Sequence, residues 1–311
     1  MRGRIVKSTG SWSSVRTDDG KVIPCKVKGS FRLKGIRSTN PVSVGDWVEF
    51  KMIDDVNGII HKLEKRNNYI IRRSINLSKR GHILASNIDQ ILIFVTLRDP
   101  ETTKGFIDRI TISAEAYHIT PVLIFNKADL LDESDSHNLI EWLSVYSKLG
   151  YQCIQTSVTE NVNLEEVIQV MEGKTSMLAG HSGTGKSSLI NAISPTLNLK
   201  IDDISKTHRQ GKHTTTFAEL YHLDFDAQII DTPGIRGFGI IDIDQKELSH
   251  YFLEMRKLLS KCKFNNCQHL NEPDCAIKKA VGKGEIAESR FKSYMSIYSE
   301  DENENYRTVD Y

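Results

Sequence analysis

Gly180 to Ser187 reads GHSGTGKS and fits the spacing G-x-x-x-x-G-K-[ST], a pattern that holds the phosphates of a nucleotide. Glycines at 180, 183 and 185 let the backbone N–H groups of Gly180, His181, Ser182, Gly183, Thr184 and Gly185 turn inward without Cβ clashes. Lys186 can then reach the β- and γ-phosphates and Ser187 can hold Mg²⁺, with Ser188 the next residue along to line the nucleotide. The apolar lead-in SMLA (Ser176 to Ala179) and the helically spaced KSSLINAI (Lys186 to Ile193) supply the strand and helix that such a loop requires. A glycine-rich turn that fits by chance is the alternative, and flanks of this kind argue against it.

Two further stretches select the base. NKAD (Asn126 to Asp129) ends the apolar run PVLIF, and the Asp129 carboxylate can accept from both the N1–H and the exocyclic amine of guanine. Adenine has no such donor pair and would leave a buried charge unpaired. Asn126 and Lys127 share that stretch, and TSV after the next strand adds Thr156 and Ser157 as a second loop beside the base. DTPG ends the run AQII, placing Asp231 near Mg²⁺ and the Gly234 amide near the γ-phosphate. NKAD alone is a short pattern, but the three together point to GTP or GDP.

The polar stretch between Pro195 and Phe217 lacks periodicity and ends in HTTT (His213 to Thr216). A threonine there can contact Mg²⁺ and the γ-phosphate when the loop orders; Thr215 is the candidate, with Thr214 its neighbouring alternative. The residue after DTPG is Ile235. An apolar side chain cannot orient an attacking water, so slow hydrolysis is expected of the isolated chain. His213 is the candidate to take over, against the plainer reading of a solvated loop histidine. Lys186, Thr215 and His213 are thus the residues expected at the reacting phosphate.

A second chemistry lies near the C-terminus. Cys262, Cys267, His269 and Cys275 follow the spacing C-x4-C-x-H-x5-C, four soft ligands suited to one closed, tetrahedral Zn²⁺. Cys25 and Cys153 sit inside strand-like runs and read as small core residues. Five cysteines with three clustered argue for metal rather than disulfides. No apolar run approaches the length of a membrane span, and MRGRIVKSTG lacks a signal-peptide core, so a cytoplasmic protein with no membrane partner is expected.

The elements that must position these residues fall into three groups. Up to about residue 66, GRIVKS, SWSSVR, KVIPCKV, GSFRLKG, GDWVEFK and GIIHKLE are short and β-branched or aromatic, as in a small barrel of the OB type. DDG at Asp18 to Gly20 marks a hairpin, and GDWVEFK places Trp47 and Glu49 on one face, Val48 and Phe50 on the other. Trp12, Phe31 and Trp47 either stack on bases or fill the barrel; barrel aromatics are more often core. Residues 67–86 read as a basic connector with Arg72, Arg73, Lys79 and Arg80. Next, IDQILIFVTL is apolar throughout, as in a strand buried on both faces. It opens an alternation of strand and helix that means a doubly wound α/β domain with its ligand at the strand C-terminal ends. From about residue 242, helical spacing runs through DIDQKELSHYFLEMRKLLSK to the cysteine cluster. AIKKAVGKGEIAESRFKSYMSIYSE continues as helices, and the acidic DENENYRTVDY reads as a disordered tail.

Charge divides the same way. Residues 1–80 hold 18 Lys and Arg against 7 Asp and Glu, or +11, while the remaining 231 hold 23 against 33, or −10. A basic module on an acidic remainder suggests a polyanionic partner, the alternative being an ordinary solvated basic face.

The order of the motifs is permuted: NKAD and TSV precede GHSGTGKS, HTTT and DTPG. The chain therefore resembles the circularly permuted GTPases, and a doubly wound sheet tolerates new termini where exposed ends lie close. On NKAD, GHSGTGKSSLIN, GKHTTT, DTPGIRGFG and the Cys₃His run it resembles the bacterial small-ribosomal-subunit-dependent GTPase A family. That resemblance implies three domains: an RNA-binding OB barrel (1–66), a permuted GTPase domain (67–241) and a mainly helical zinc domain with its tail (242–311). It further implies GTP hydrolysis stimulated by the small ribosomal subunit, a role in late subunit maturation, contact with rRNA, and action as a monomer. A GTPase switch directed at another RNA or at a protein stays open at this point.

Overall fold

In the computed structural model, which describes residues 1–9, 11–28, 41–73, 81–199, 218–231 and 243–299, the N-terminal strands close on themselves. They are β1 (Arg2–Thr9), β2 (Trp12–Arg16), β3 (Val22–Val27), β4 (Trp47–Met52) and β5 (Gly58–Leu63). Their order is β1-β2-β3-β5-β4 and back to β1, antiparallel except where β3 runs parallel to β5. This is the five-stranded barrel the alternating strands predict. Ile5, Val15, Cys25, Val48, Phe50 and Ile60 form its fully buried core, and burial pushes the Cys25 thiol up to about 11, as befits a packing residue. The expected strand GSFRLKG, with Phe31, lies outside the described residues.

The basic segment after the barrel is not a plain connector. β6 (Tyr69–Arg73) pairs antiparallel with β7 (Gly81–Ser86). Ile70, Ile83 and Ala85 are buried and join the core of the next domain, so an alternating apolar face is what makes this stretch a hairpin.

That next domain is a six-stranded sheet with helices on both faces. Its elements are β8 (Gln90–Val95), α1 (Lys104–Ala116), β9 (Thr120–Phe125), α2 (Glu133–Lys148), β10 (Gln152–Gln155), α3 (Leu164–Met171), β11 (Thr175–Ala179), α4 (Lys186–Ile193), β12 (Glu219–His222) and β13 (Gln228–Asp231). The strand order is β10-β9-β8-β11-β13-β12, parallel except for β12. β8 is buried along its whole length. Ile91, Ile93 and Val95 pack on the face carrying α1 and α2, and Leu92 and Phe94 on the face carrying α3 and α4, the two-sided burial of a central parallel strand. Thr103 and Asp132 cap α1 and α2, each side chain accepting from a backbone N–H in the first turn.

Barrel and sheet are joined edge to edge. β1 pairs with β12 at Lys7 and Glu219, and Lys7 Nζ lies 3.0 Å from the Glu219 carboxylate. Arg4 reaches across the seam. Its guanidinium donates to Thr175 Oγ1 at 2.8 Å, to the Asn87 carbonyl at 2.9 Å, and to Gln228 Oε1.

The helical periodicity expected without interruption over 242–261 is broken into short pieces: a 3₁₀ segment at 245–250, α5 (Leu253–Arg256), and another 3₁₀ turn at 259–261. The chain extends at Phe252, whose ring is buried edge-on to Tyr294 with centroids 5.5 Å apart, so packing overrides helix spacing there. α6 (Ala276–Gly282) and α7 (Glu288–Ser299) complete the fold. Among the described residues no helix is long and apolar enough to cross a membrane.

Candidate nucleotide site and metal centre

Among the described residues, the loops after β9, β10 and β11 meet at the C-terminal edge of the sheet, where β13 ends at Asp231. The loop between β11 and α4 depends on glycine at two points. A Cβ on Gly185, whose φ is +89°, would stand 2.3 Å from Asn126 Nδ2, and one on Gly180 would stand 2.9 Å from the Phe94 backbone oxygen. Neither position tolerates a side chain. The Lys186 ammonium lies inside the ring, donating to the carbonyls of Gly180 at 2.9 Å and His181 at 2.5 Å. Lys186 and Ser187 are both buried at the start of α4, where free N–H groups and the helix dipole favour an anion.

NKAD is tied to that loop by hydrogen bonds. Asn126 Nδ2 donates to the Thr184 carbonyl at 2.9 Å, and Asn126 Oδ1 accepts from Thr156 Oγ1 at 3.0 Å. Asn126 thus fastens three loops together. Ala128 N donates to the Thr156 carbonyl at 3.1 Å, and Ser157 Oγ donates to Asp129 Oδ1 at 2.5 Å. A serine already oriented on the carboxylate fixes the edge that guanine would meet. Lys127, with φ of 62°, donates from Nζ to the Asp99 carbonyl.

Sequence reading missed the loop that answers Lys127. Residues 97–102 lean on the phosphate loop: Pro100 Cδ is 3.3 Å from where a Cβ on Gly183 would be. Phe106, on the first turns of α1, places its ring 4.0 Å from that of His181. The dipeptide Asp99–Pro100 is a turn signal that could have marked this loop.

The structure brings Asn126, Lys127, Asp129, Thr156, Ser157, the residues 180–188 and Asp231 to one edge. His213, Thr214, Thr215, Gly234 and Ile235 lie outside the described residues. For Mg²⁺ the donor set suits a hard cation: the Ser187 hydroxyl and the strand-end carboxylate of Asp231.

The second cluster is closed. The ligand atoms of Cys262, Cys267, His269 and Cys275 all lie within 4.8 Å of one another. His269 Nδ1 is 3.7 Å from Cys262 Sγ and 3.4 Å from Cys275 Sγ, close to the ~3.6 Å N···S edge of a tetrahedron built on ~2.1 Å Zn–N and ~2.3 Å Zn–S bonds. Burial pushes the Cys267 thiol up to about 12, the direction of a sulfur crowded among sulfurs; a divalent cation would supply the missing positive charge. His269 and Asp274 hold left-handed backbone, with φ of 61° and 57°, so the ligand loop adopts a conformation that side chains rarely take. The four residues fit Zn²⁺.

Comparison with known proteins extends these observations to the whole chain. The sequence pattern of the family described as "RsgA GTPase" matches residues 63–241, and that of the "RsgA N-terminal domain" matches residues 2–60. A relative from Flavobacterium johnsoniae, named Small ribosomal subunit biogenesis GTPase RsgA, is 52% identical over 99% of this chain and 95% of its own length. A relative from Bacteroides thetaiotaomicron, named Small ribosomal subunit biogenesis GTPase RsgA 2, is 48% identical over 99% of this chain and all of its own. Among solved structures, YjeQ from Thermotoga maritima superimposes with a TM-score of 0.77 at 36% identity, covering 96% of each chain. YloQ, described as a circularly permuted GTPase, gives 0.73 at 30% identity over 96% of this chain and 93% of its own.

Proposed function

The chain belongs to the RsgA GTPase family, and from that premise we propose that it acts in the cytoplasm on the small ribosomal subunit, hydrolysing GTP as that subunit matures. It is a GTP hydrolase of circularly permuted order. The observation that carries the ribosomal reading is near full-length similarity to relatives named for small-subunit biogenesis.

The site residues have the following proposed parts. Asp129, set by Ser157, reads guanine, while Asn126 and Lys127 hold the base loop on the phosphate loop. The N–H groups from His181 to Ser188 and the Lys186 ammonium bind the phosphates. Ser187, Asp231 and Thr215 hold Mg²⁺, which when bound neutralises charge on the β- and γ-phosphates. Ile235 leaves the attacking water without a side-chain guide, and His213 supplies one when the subunit is bound. Zn²⁺ on Cys262, Cys267, His269 and Cys275 is structural, since four protein ligands leave no open position.

The basic barrel and the β6–β7 hairpin support contact with rRNA through phosphates. Trp12 is 38% exposed with Lys26 Nζ 4.6 Å from its ring, whereas Trp47 lies under Arg2 at 4.0 Å. Of these two tryptophans Trp12 is the more exposed, which supports it as the one to meet a base. Each phosphate neutralised releases condensed counterions, so small-subunit affinity should fall by about 10³-fold or more between roughly 50 and 200 mM salt. Co-sedimentation with isolated small subunits, large subunits and transfer RNA tests this. Preferential, salt-sensitive binding to small subunits that weakens on removal of residues 1–66 is the expected result. Salt-independent binding, or full binding by the truncated chain, would mean that the +11 charge is only a solvated surface.

A further inference from the structure

The C-terminal module grips the GTPase domain through a buried charge cluster. Arg290 on α7 is 1% exposed, and its guanidinium forks between two carboxylates from different domains. Nη1 donates to Asp108 Oδ1 of α1 at 2.7 Å, and Nε donates to Glu254 Oε1 of α5 at 2.7 Å. Asp108, fully buried, also accepts from Tyr146 OH of α2 at 2.8 Å. Phe252 lies under the guanidinium, 4.8 Å from its ring centroid, and Ile112 of α1 is built into the apolar core of the module. Burial raises the Tyr146 hydroxyl well above its ordinary value, with the Asp108 charge acting in the same direction, so Tyr146 stays a donor.

Such a cluster adds little stability over apolar packing of the same volume, because three charged groups lose their water. What it adds is a defined orientation of α7 against α1. Phe106 stands two residues before Asp108, roughly opposite on the helix, with its ring against His181 of the phosphate loop. α1 is therefore held between the phosphate loop on one side and the Arg290 cluster on the other.

We propose that Arg290 is a positioning residue for GTP hydrolysis: by clamping Asp108 it fixes α1, and through Phe106 against His181 it sets the phosphate loop from the zinc module. This deepens the function proposed above: if the zinc module meets the subunit, α1 carries that contact to the phosphate loop. Its role in subunit-stimulated turnover rests on the ribosomal reading, but the positioning itself does not.

Hydrogen exchange on the full-length, zinc-loaded chain without ribosomes tests the positioning. In Arg290→Met, exchange in the first half of α1 and across residues 180–185 should rise by at least about tenfold, because those amides open locally more often. Changes confined to residues 243–299 would overturn the proposal. If Arg290→Met does not retain zinc, Asp108→Asn decides by the same two outcomes, since it removes the pair from the GTPase side. In the subunit arm, Arg290→Met should bind small subunits like the parent yet lose most of the stimulation of single-turnover hydrolysis; stimulation at the parent's level would contradict the proposal. A parent chain that small subunits fail to stimulate would contradict the ribosomal reading instead, and the exchange result would still decide on Arg290.

Discussion

Asp129→Asn should weaken GTP binding by about a hundredfold or more, roughly 2.8 kcal/mol, and turn the site toward xanthosine nucleotides. The carboxylate of Asp129, proposed to read the base, has a rigid setting: Ser157 Oγ holds it at 2.5 Å, and Asn126 locks its loop to Thr156 and Thr184. Guanine presents two donors to that acceptor pair. An amide presents one acceptor and one donor, so it mismatches the guanine amine and matches the carbonyl that replaces it in xanthine. Asp129 is exposed in the chain alone; the loss is large because a bound base would cover it, and a site that bonds a donor leaves covered groups unpaired when the donor is wrong. Fluorescence titration of parent and variant with GTP, XTP and ATP reads the change. Equal affinity of the parent for ATP and GTP would remove the basis of the guanine assignment.

The second large effect concerns the metal. Cys267→Ala should release zinc and open the C-terminal module to protease while GTP still binds. Structural zinc contributes on the order of 10 kcal/mol to the folding of small domains, and the module's own core is modest: it is built around Phe252, Tyr294, Met255 and Ile277, with Ile112 lent by α1. Cys267 and Cys275 belong to that core, so the ligands and the packing fail together. The GTPase sheet keeps its two separate cores and should stay folded. Metal analysis of freshly purified, chelator-free protein should find about one zinc per chain, as four closed ligands require. A chain without zinc that resists protease as well as the parent would end this assignment.

The nucleotide site was legible because its demands are local. Gly180 and Gly185 are dictated by backbone approach, and NKAD and TSV meet at adjacent strand ends, so spacing alone pointed to them. The barrel could be read from alternation, as in Val48 and Phe50 inward against Trp47 and Glu49 outward. Features that depend on distant residues could not be read. The β6–β7 hairpin was masked by its arginines, although Ile70 and Ile83 carry the face that makes it. The break at Phe252 follows from a pocket formed partly by Tyr294, more than forty positions away. Arg4 and Arg290 look like surface cations in sequence, and only the assembled domains show them buried against Gln228 and Asp108. His213, Thr215 and Ile235, the residues expected to bear on the hydrolytic step, lie outside the described residues.

Single-turnover hydrolysis of GTP, alone and with saturating small ribosomal subunits, tests the central claim most directly. The chain alone should be slow, because Ile235 cannot guide water, and small subunits should raise the rate by at least about tenfold, roughly 1.4 kcal/mol of barrier. His213→Ala should lose most of that increase with GTP affinity intact; an equal increase would make His213 a bystander. A parent rate that small subunits leave unchanged, or that large subunits or transfer RNA raise instead, would contradict the account.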